Sequence, residues 1–197
     1  MINRITIQAY QVGLVFGKGK LINVLEAGSY WIFGNKQVHI YEMKQSFVAP
    51  IELTILLQNE KLASLLEVIE IADNEIALYY VNGMFKEVLT TGRYAFWKGY
   101  LDNAFTKIDL SKVEITEVVP VALLENIKVR AYTRKYQVLN FEKGLLFVNG
   151  AFVKELAAGN YYFWNNAIPI EVKNVDIRQQ QMEIAGQELL TKDKAIL

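Results

Sequence analysis

LVFGKGKLINVLEAGSYWIF at residues 14–33, LYYVNGMFKEVLTTGRYAFW at 78–97 and LLFVNGAFVKELAAGNYYFW at 145–164 are three copies of one pattern, aligned without a gap. They begin at residues 14, 78 and 145, so each copy with its connections is far larger than a trefoil or propeller strand pair. Self-similarity at such a period marks a repeat architecture, and the spacing predicts three small domains in tandem.

Inside each copy the chemistry is that of turns. Asn82-Gly83 and Asn149-Gly150 lie between β-rich runs. Both residue types tolerate the positive φ that a two-residue type I′ hairpin needs at both central positions. The first copy has Lys18-Gly19 there, a weaker turn former. Further on stands a second glycine in the pattern small-Gly-x-Tyr: Gly28 with Tyr30, Gly92 with Tyr94, Gly159 with Tyr161. This structural turn motif predicts a positive φ at the glycine and a third strand beginning at the tyrosine.

Strand parity sorts the aromatic residues. Tyr30, Tyr94 and Tyr161 alternate with Ile32, Phe96 and Phe163, so each pair points to one face, the expected core. Phe33, Trp97 and Trp164 fall on the opposite face. They are expected to pack on a neighbouring repeat or to form an interaction surface for a partner. One irregularity stands out: Asn23, Glu87 and Lys154 occupy an inward position between Leu21 and Leu25, Phe85 and Leu89, and Phe152 and Leu156. A β-bulge or an exposed strand edge accounts for it.

Between the first two copies the chain reads as one short helix. Asn59 is the expected N-cap, Glu60 follows in the first turn, and Leu62, Leu65, Leu66 and Ile69 keep helical spacing. Pro50 and Pro120 mark unit boundaries. The predicted organisation is a β unit over 1–50, a linker with the short helix over 51–67, a β unit over 68–119, a linker over 120–127, a β unit over 128–178, and a distinct segment over 179–197. The fold class is mainly β, built from small antiparallel sheets.

Composition narrows the chemistry. At 52% hydrophobic and 12% aromatic residues, the 197-residue chain is a folded one. Twenty-one basic residues balance 21 acidic ones, which gives no electrostatic footprint for nucleic acid or for an anionic membrane. No cysteine is present, so disulfides, thiolate catalysis and sulfur-ligated metals are excluded. No secretory signal and no membrane-spanning stretch are read in the sequence.

The single residues that could carry chemistry also have ordinary structural roles. His39, the one histidine, lies in an alternating run with Tyr41, and a strand position explains it better than a catalytic one. Glu67 and Glu70, or Asp73 and Glu75, could form an acid–base pair, yet spacing along a strand does not place them across a cleft. Lys18-Gly19-Lys20 and Lys143-Gly144 read as charged hairpin tips, because no phosphate-binding glycine motif surrounds them. Arg130, Arg134 and Lys135 with Tyr132 and Tyr136 carry a weak stacking signature that the balanced charge argues against. Catalytic, cofactor-binding and metal residues are accordingly predicted to be none, and no cofactor is expected.

The last segment departs from the repeats. Met182 to Lys194, MEIAGQELLTKDK, resembles the opening of the band 7 domain shared by stomatins, prohibitins and flotillins, and the preceding repeats resemble those that bacterial slipins place before that domain. The resemblance implies opening strands of an α+β band 7 domain over 179–197, cut short at Leu197 as in a truncated piece. It further implies a membrane-associated scaffold, non-enzymatic, with protein partners and homo-oligomerisation when the whole chain is present. Nucleic acid is not expected as a partner, and membrane contact is expected only indirectly or through missing regions. The implied location is cytoplasmic or peripheral to the inner face of the membrane. The alternative from the residues themselves is a ligand-binding β-repeat module that uses exposed aromatics on carbohydrate or peptide. A more distant one is an enzyme using only carboxylates and hydroxyls.

Overall fold

In the computed structural model of the protein, which describes residues 2–178, every repeat makes five strands. The first repeat gives β1 (Ile2–Ile7), β2 (Gln11–Gly17), β3 (Lys20–Leu25), β4 (Gly28–Phe33) and β5 (Gln37–Glu42). The second gives β6 (Leu66–Ile71), β7 (Glu75–Val81), β8 (Met84–Leu89), β9 (Gly92–Trp97) and β10 (Asn103–Asp109). The third gives β11 (Thr133–Val138), β12 (Glu142–Val148), β13 (Ala151–Leu156), β14 (Gly159–Trp164) and β15 (Ile170–Asp176). In each, the second strand sits between the third and the fifth in an antiparallel sheet, while the first and fourth make a separate two-stranded sheet. The fold is mainly β, with the small sheets in tandem.

The turn glycines explain this division. The hairpin tips have positive φ at both central residues: 52° and 76° at Lys18 and Gly19, 50° and 76° at Asn82 and Gly83, 51° and 77° at Asn149 and Gly150. Lysine thus makes the same turn as the two asparagines. Gly28, Gly92 and Gly159 have φ of 151°, 148° and 156°, an extended conformation almost confined to glycine. There the chain leaves the third strand and crosses to the other sheet, so the fourth strand pairs with the first and begins at the glycine, two residues before the tyrosine.

A one-residue β-bulge falls at the same place in all three repeats, between Val15 and Phe16, Tyr79 and Tyr80, and Leu146 and Phe147. Phe16 pairs with Leu21 and Val15 with Asn23, leaving Ile22 as the extra residue. The face therefore flips within β3. Leu21 joins Val24 on one side and Asn23 joins Leu25 on the other, where Asn23 stays exposed because β3 is the edge strand of its sheet.

Two faces are buried for different reasons. Between the sheets of repeat 1 lie Ile7, Val15 and Leu25, with Ile5, Tyr30, Ile32 and Val38 against them. The matching set in repeat 2 is Ile69, Ile71, Ala77, Tyr79, Leu89 and Phe96. Small residues hold the sheets close: a Cβ at Gly144 would stand 2.7 Å from Val138 Cγ2 and 3.2 Å from both Leu156 and Val172.

Four short helices occur in the linkers, not one: α1 (Leu53–Leu56), α2 (Glu60–Leu65), α3 (Val121–Leu124) and α4 (Ile127–Arg130). Asn59 Oδ1 accepts a hydrogen bond from Leu62 N at 3.0 Å, the N-cap expected from sequence. Leu66 and Ile69 leave the helix, however. Leu66 has extended φ and ψ of −111° and 138° and starts β6, where Leu66 faces away from Ile69. Asn126 caps α4 in the same manner, accepting from Lys128 N.

The described residues up to Thr133, with Trp164–Asn166, form one compact unit, and Arg134–Phe163 with the described residues from Ala167 form another. The segment 179–197, expected to open a band 7 domain, lies outside the described residues. No helix among the described residues is long and apolar enough to cross a membrane.

Candidate functional site

The feature that repetition builds is the junction between repeats. Leu66 and Val68 on β6 and Ala95 and Trp97 on β9 share the outer face of the two-stranded sheet. That face joins one apolar cluster with Val12, Leu14, Phe16 and Val24 from the outer face of repeat 1's larger sheet, and with Phe47, Leu56 and Leu62 from the linker. Trp97 is 1% exposed, and its ring lies 5.1 Å from Phe47 and 6.0 Å from Tyr41. Burial raises the Tyr41 phenol above its ordinary pKa. The backbone is tied as well: Phe47 N donates to Ala95 O, and Lys98 N to Leu65 O, each at 2.9 Å.

The second linker holds Trp164 in a comparable way. Its side chain has no exposed surface, its backbone N donates to Val113 O at 2.9 Å, and Nε1 donates to the Glu117 carboxylate at 3.2 Å. Asn165 N donates to Tyr132 O, and Asn166 Nδ2 to Leu110 O and Lys112 O. Leu124 of α3 and Val129 of α4 are buried, and Lys128 Nζ donates to Lys86 O on β8. The expectation that Trp97 and Trp164 form a partner surface is corrected accordingly. Both are buried core residues, Trp97 at the junction of the first two repeats and Trp164 within the first compact unit, and neither is available to a carbohydrate or peptide.

Phe33 behaves differently. On β1 and β4 the register Ile2–Phe33 and Arg4–Trp31 matches Leu66–Trp97 and Val68–Ala95. Yet Ile2, Trp31 and Phe33 are 61%, 60% and 57% exposed. The Arg4 guanidinium stands 6.0 Å from the Trp31 ring centroid, and Thr6 and Ser29 share a hydroxyl contact where repeat 2 has the Glu70–Arg93 ion pair. The face that is an internal junction in repeat 2 is thus open in repeat 1. Sequence parity singled out Phe33 but missed Trp31, whose counterpart in the second copy is an alanine.

The Gly-x-Tyr motif closes a corner. Tyr94 OH donates to Thr90 O at 3.1 Å and Tyr161 OH to Ala157 O at 2.9 Å, so the ring folds back across its glycine. At Gly28 a Cβ would lie 3.2 Å from the Tyr30 hydroxyl. These six residues are placed together in pairs by the fold, and their work is to fix the crossing between sheets.

The remaining candidates are dispersed. His39 is exposed on β5, edge-on to Phe16 at 5.4 Å, beside a cavity of about 440 Å³ that Lys18, Gln37 and Ile51 also line. Glu70 pairs with Arg93 at 2.8 Å, and Glu75 stands 3.8 Å from Lys107. Arg134 donates to Ile168 O and Tyr136 OH to Ile170 O, so this part of the basic cluster is tied to the fold. Lys143-Gly144 is not a hairpin tip: it lies within β12, where Lys143 pairs with Glu155 at 2.7 Å and holds that carboxyl below its ordinary pKa. Among the described residues no group of three or more His, Cys, Asp or Glu could hold a metal ion. Comparison with protein-family models, with curated proteins and with solved structures gives no match.

Proposed function

We propose that this chain is a non-catalytic scaffold module of a slipin-like band 7 protein, acting through protein–protein association that includes copies of itself. The observation that carries the reading is the junction. One β unit is used three times, a wholly apolar surface joins the first to the second, and the same surface on the first repeat is open. Stacked repeats bury a continuous core and present extended surfaces, an architecture suited to association. Support for the band 7 assignment is the sequence GQELLTKDK at 186–194 together with the repeats before it. The expected location is cytoplasmic, with the membrane reached through a partner or through regions beyond these repeats.

The test is the solution mass of the 197-residue chain beside that of a version extended through a complete band 7 domain and its helical region. A large closed oligomer from the longer chain is the expected result. A longer chain that stays monomeric removes the scaffold reading.

A further inference from the structure

We infer that the open face of β1 and β4 docks on the same face of a second copy of this chain, giving a reversible twofold dimer. The inference names the partner for the association module proposed above and rests on that reading.

The surface is an interface in type because the chain uses its equivalent as one. Leu66 and Trp97, the counterparts of Ile2 and Phe33, are 3% and 1% exposed under a neighbouring sheet, whereas Ile2 and Phe33 exceed 50%. Its composition fits as well: beside Ile2 it presents tryptophan, phenylalanine and arginine, residue types enriched in protein interfaces. Arg4 stands where repeat 2 has Val68. That single charge beside the Trp31 ring keeps the face wettable when it is alone.

Two surfaces of a second copy could cover it, and charge decides between them. One is the outer face of the β13-β12-β15 sheet, by analogy with the internal junction. At the positions of Val12 and Val24, both 2% exposed in repeat 1, that sheet carries Lys143 and Glu155 as an ion pair. Lys173 also stands 5.1 Å over the Phe147 ring there. Docking this sheet on Trp31 and Phe33 would strip water from a formed ion pair without replacing its hydrogen bonds. The other surface is the same β1–β4 face, whose one charge, Arg4, already packs against its own Trp31 ring. An isologous contact of this kind closes at two copies, whereas a head-to-tail contact would propagate.

The face is small. Six residues at about 3.3 Å each give a sheet about 20 Å long and two strands wide. Such a contact falls at the low end of specific interfaces, so the dimer dissociates in the micromolar range or above.

The test is sedimentation equilibrium of the 197-residue chain from low micromolar to near-millimolar concentration. The mass should rise from one chain and level off at two. Trp31→Ser and Phe33→Ser, made at exposed positions and checked for folding by circular dichroism, should each weaken the dimer at least about tenfold. Phe152→Ser, on the exposed β13 surface, should leave it unchanged. A mass that stays at one chain overturns the dimer while an extended chain that assembles keeps the scaffold reading. Growth beyond two copies, loss of association in Phe152→Ser, or indifference to both face substitutions overturns it equally, since each places the contact elsewhere.

Discussion

At the scale of single residues, the glycine of each Gly-x-Tyr corner is held by backbone conformation and by contact together. Gly92 has φ of 148°, and a Cβ there would lie 3.5 Å from the Tyr94 ring. Gly92→Ala should therefore destabilise the protein by about 1–3 kcal/mol, the range for a non-glycine residue forced into this region, measured by chemical denaturation. Tyr94→Phe removes only the bond to Thr90 O and should cost about 1 kcal/mol in the same assay. The two buried tryptophans make a second contrast. Trp164 Nε1 donates to Glu117, whereas Trp97 Nε1 is buried with no hydrogen-bond partner among the described residues. Replacing Trp164 by Phe breaks a bond to a charged group, about 1.5–3 kcal/mol. Replacing Trp97 by Phe relieves an unsatisfied donor and should cost less than the Trp164 substitution, in spite of the lost volume. Equal losses in the two variants would show that packing alone decides these positions. Glu155 gives a pH-dependent term. Its folded-state pKa is depressed, first by the hydrogen bond from Lys143, so the pair's contribution is present above the ordinary glutamate range and is lost as pH falls through the depressed value. Lys143→Met should reduce the acid dependence of thermal melts taken from neutral to acid pH, leaving the part that comes from Asp109 and Asp176, whose carboxyls are also held low by hydrogen bonds.

At the scale of elements, the linkers show what a sequence discloses and what it hides. Asn59 was legible as an N-cap because Glu60 and a leucine pattern follow it, and Asn59→Ala should cost about 1 kcal/mol of stability in urea titration. The end of that helix was not legible. Leu65, Leu66 and Ile69 continue the helical spacing across the point where Leu66 enters β6, so a real periodicity and an accidental one run together. The hairpin tips were readable through Asn-Gly, and Lys18 takes the same positive φ with no sequence signal beyond its alignment to them. The bulge was foreshadowed by Asn23, Glu87 and Lys154, because a polar residue at one inward position in every copy is a regularity rather than a defect. The pairing of the fourth strand with the first was hidden. Hairpin chemistry describes neighbours in sequence, and these partners meet only because the glycine corner carries the chain across to the other sheet.

At the scale of the molecule, parity showed that Phe33, Trp97 and Trp164 share a face but could not say which of them a neighbour covers. That depends on what stands beside each repeat, and it turns one sequence motif into two environments. Trp97 shares its cluster with Val12, Leu14, Phe16, Val24 and Phe47, and its ring meets Tyr41 and Phe47, all of them residues before position 51. A fragment of residues 51–197 strips those side chains away and leaves Leu66, Val68, Ala95 and Trp97 as an open face. Val68 then stands where the intact chain has Arg4, so the new end lacks the charge that keeps the β1–β4 face wettable. Two results are expected from the fragment. Compared with the same fragment carrying Trp97→Phe, the emission assigned to Trp97 should shift toward that of a solvated indole. Its mass by light scattering should also rise with concentration at lower concentrations than that of the intact chain, because the exposed face is wholly apolar. If the emission stays that of a buried indole and the fragment remains monomeric, the linker alone covers Trp97, and the first repeat contributes nothing to the junction.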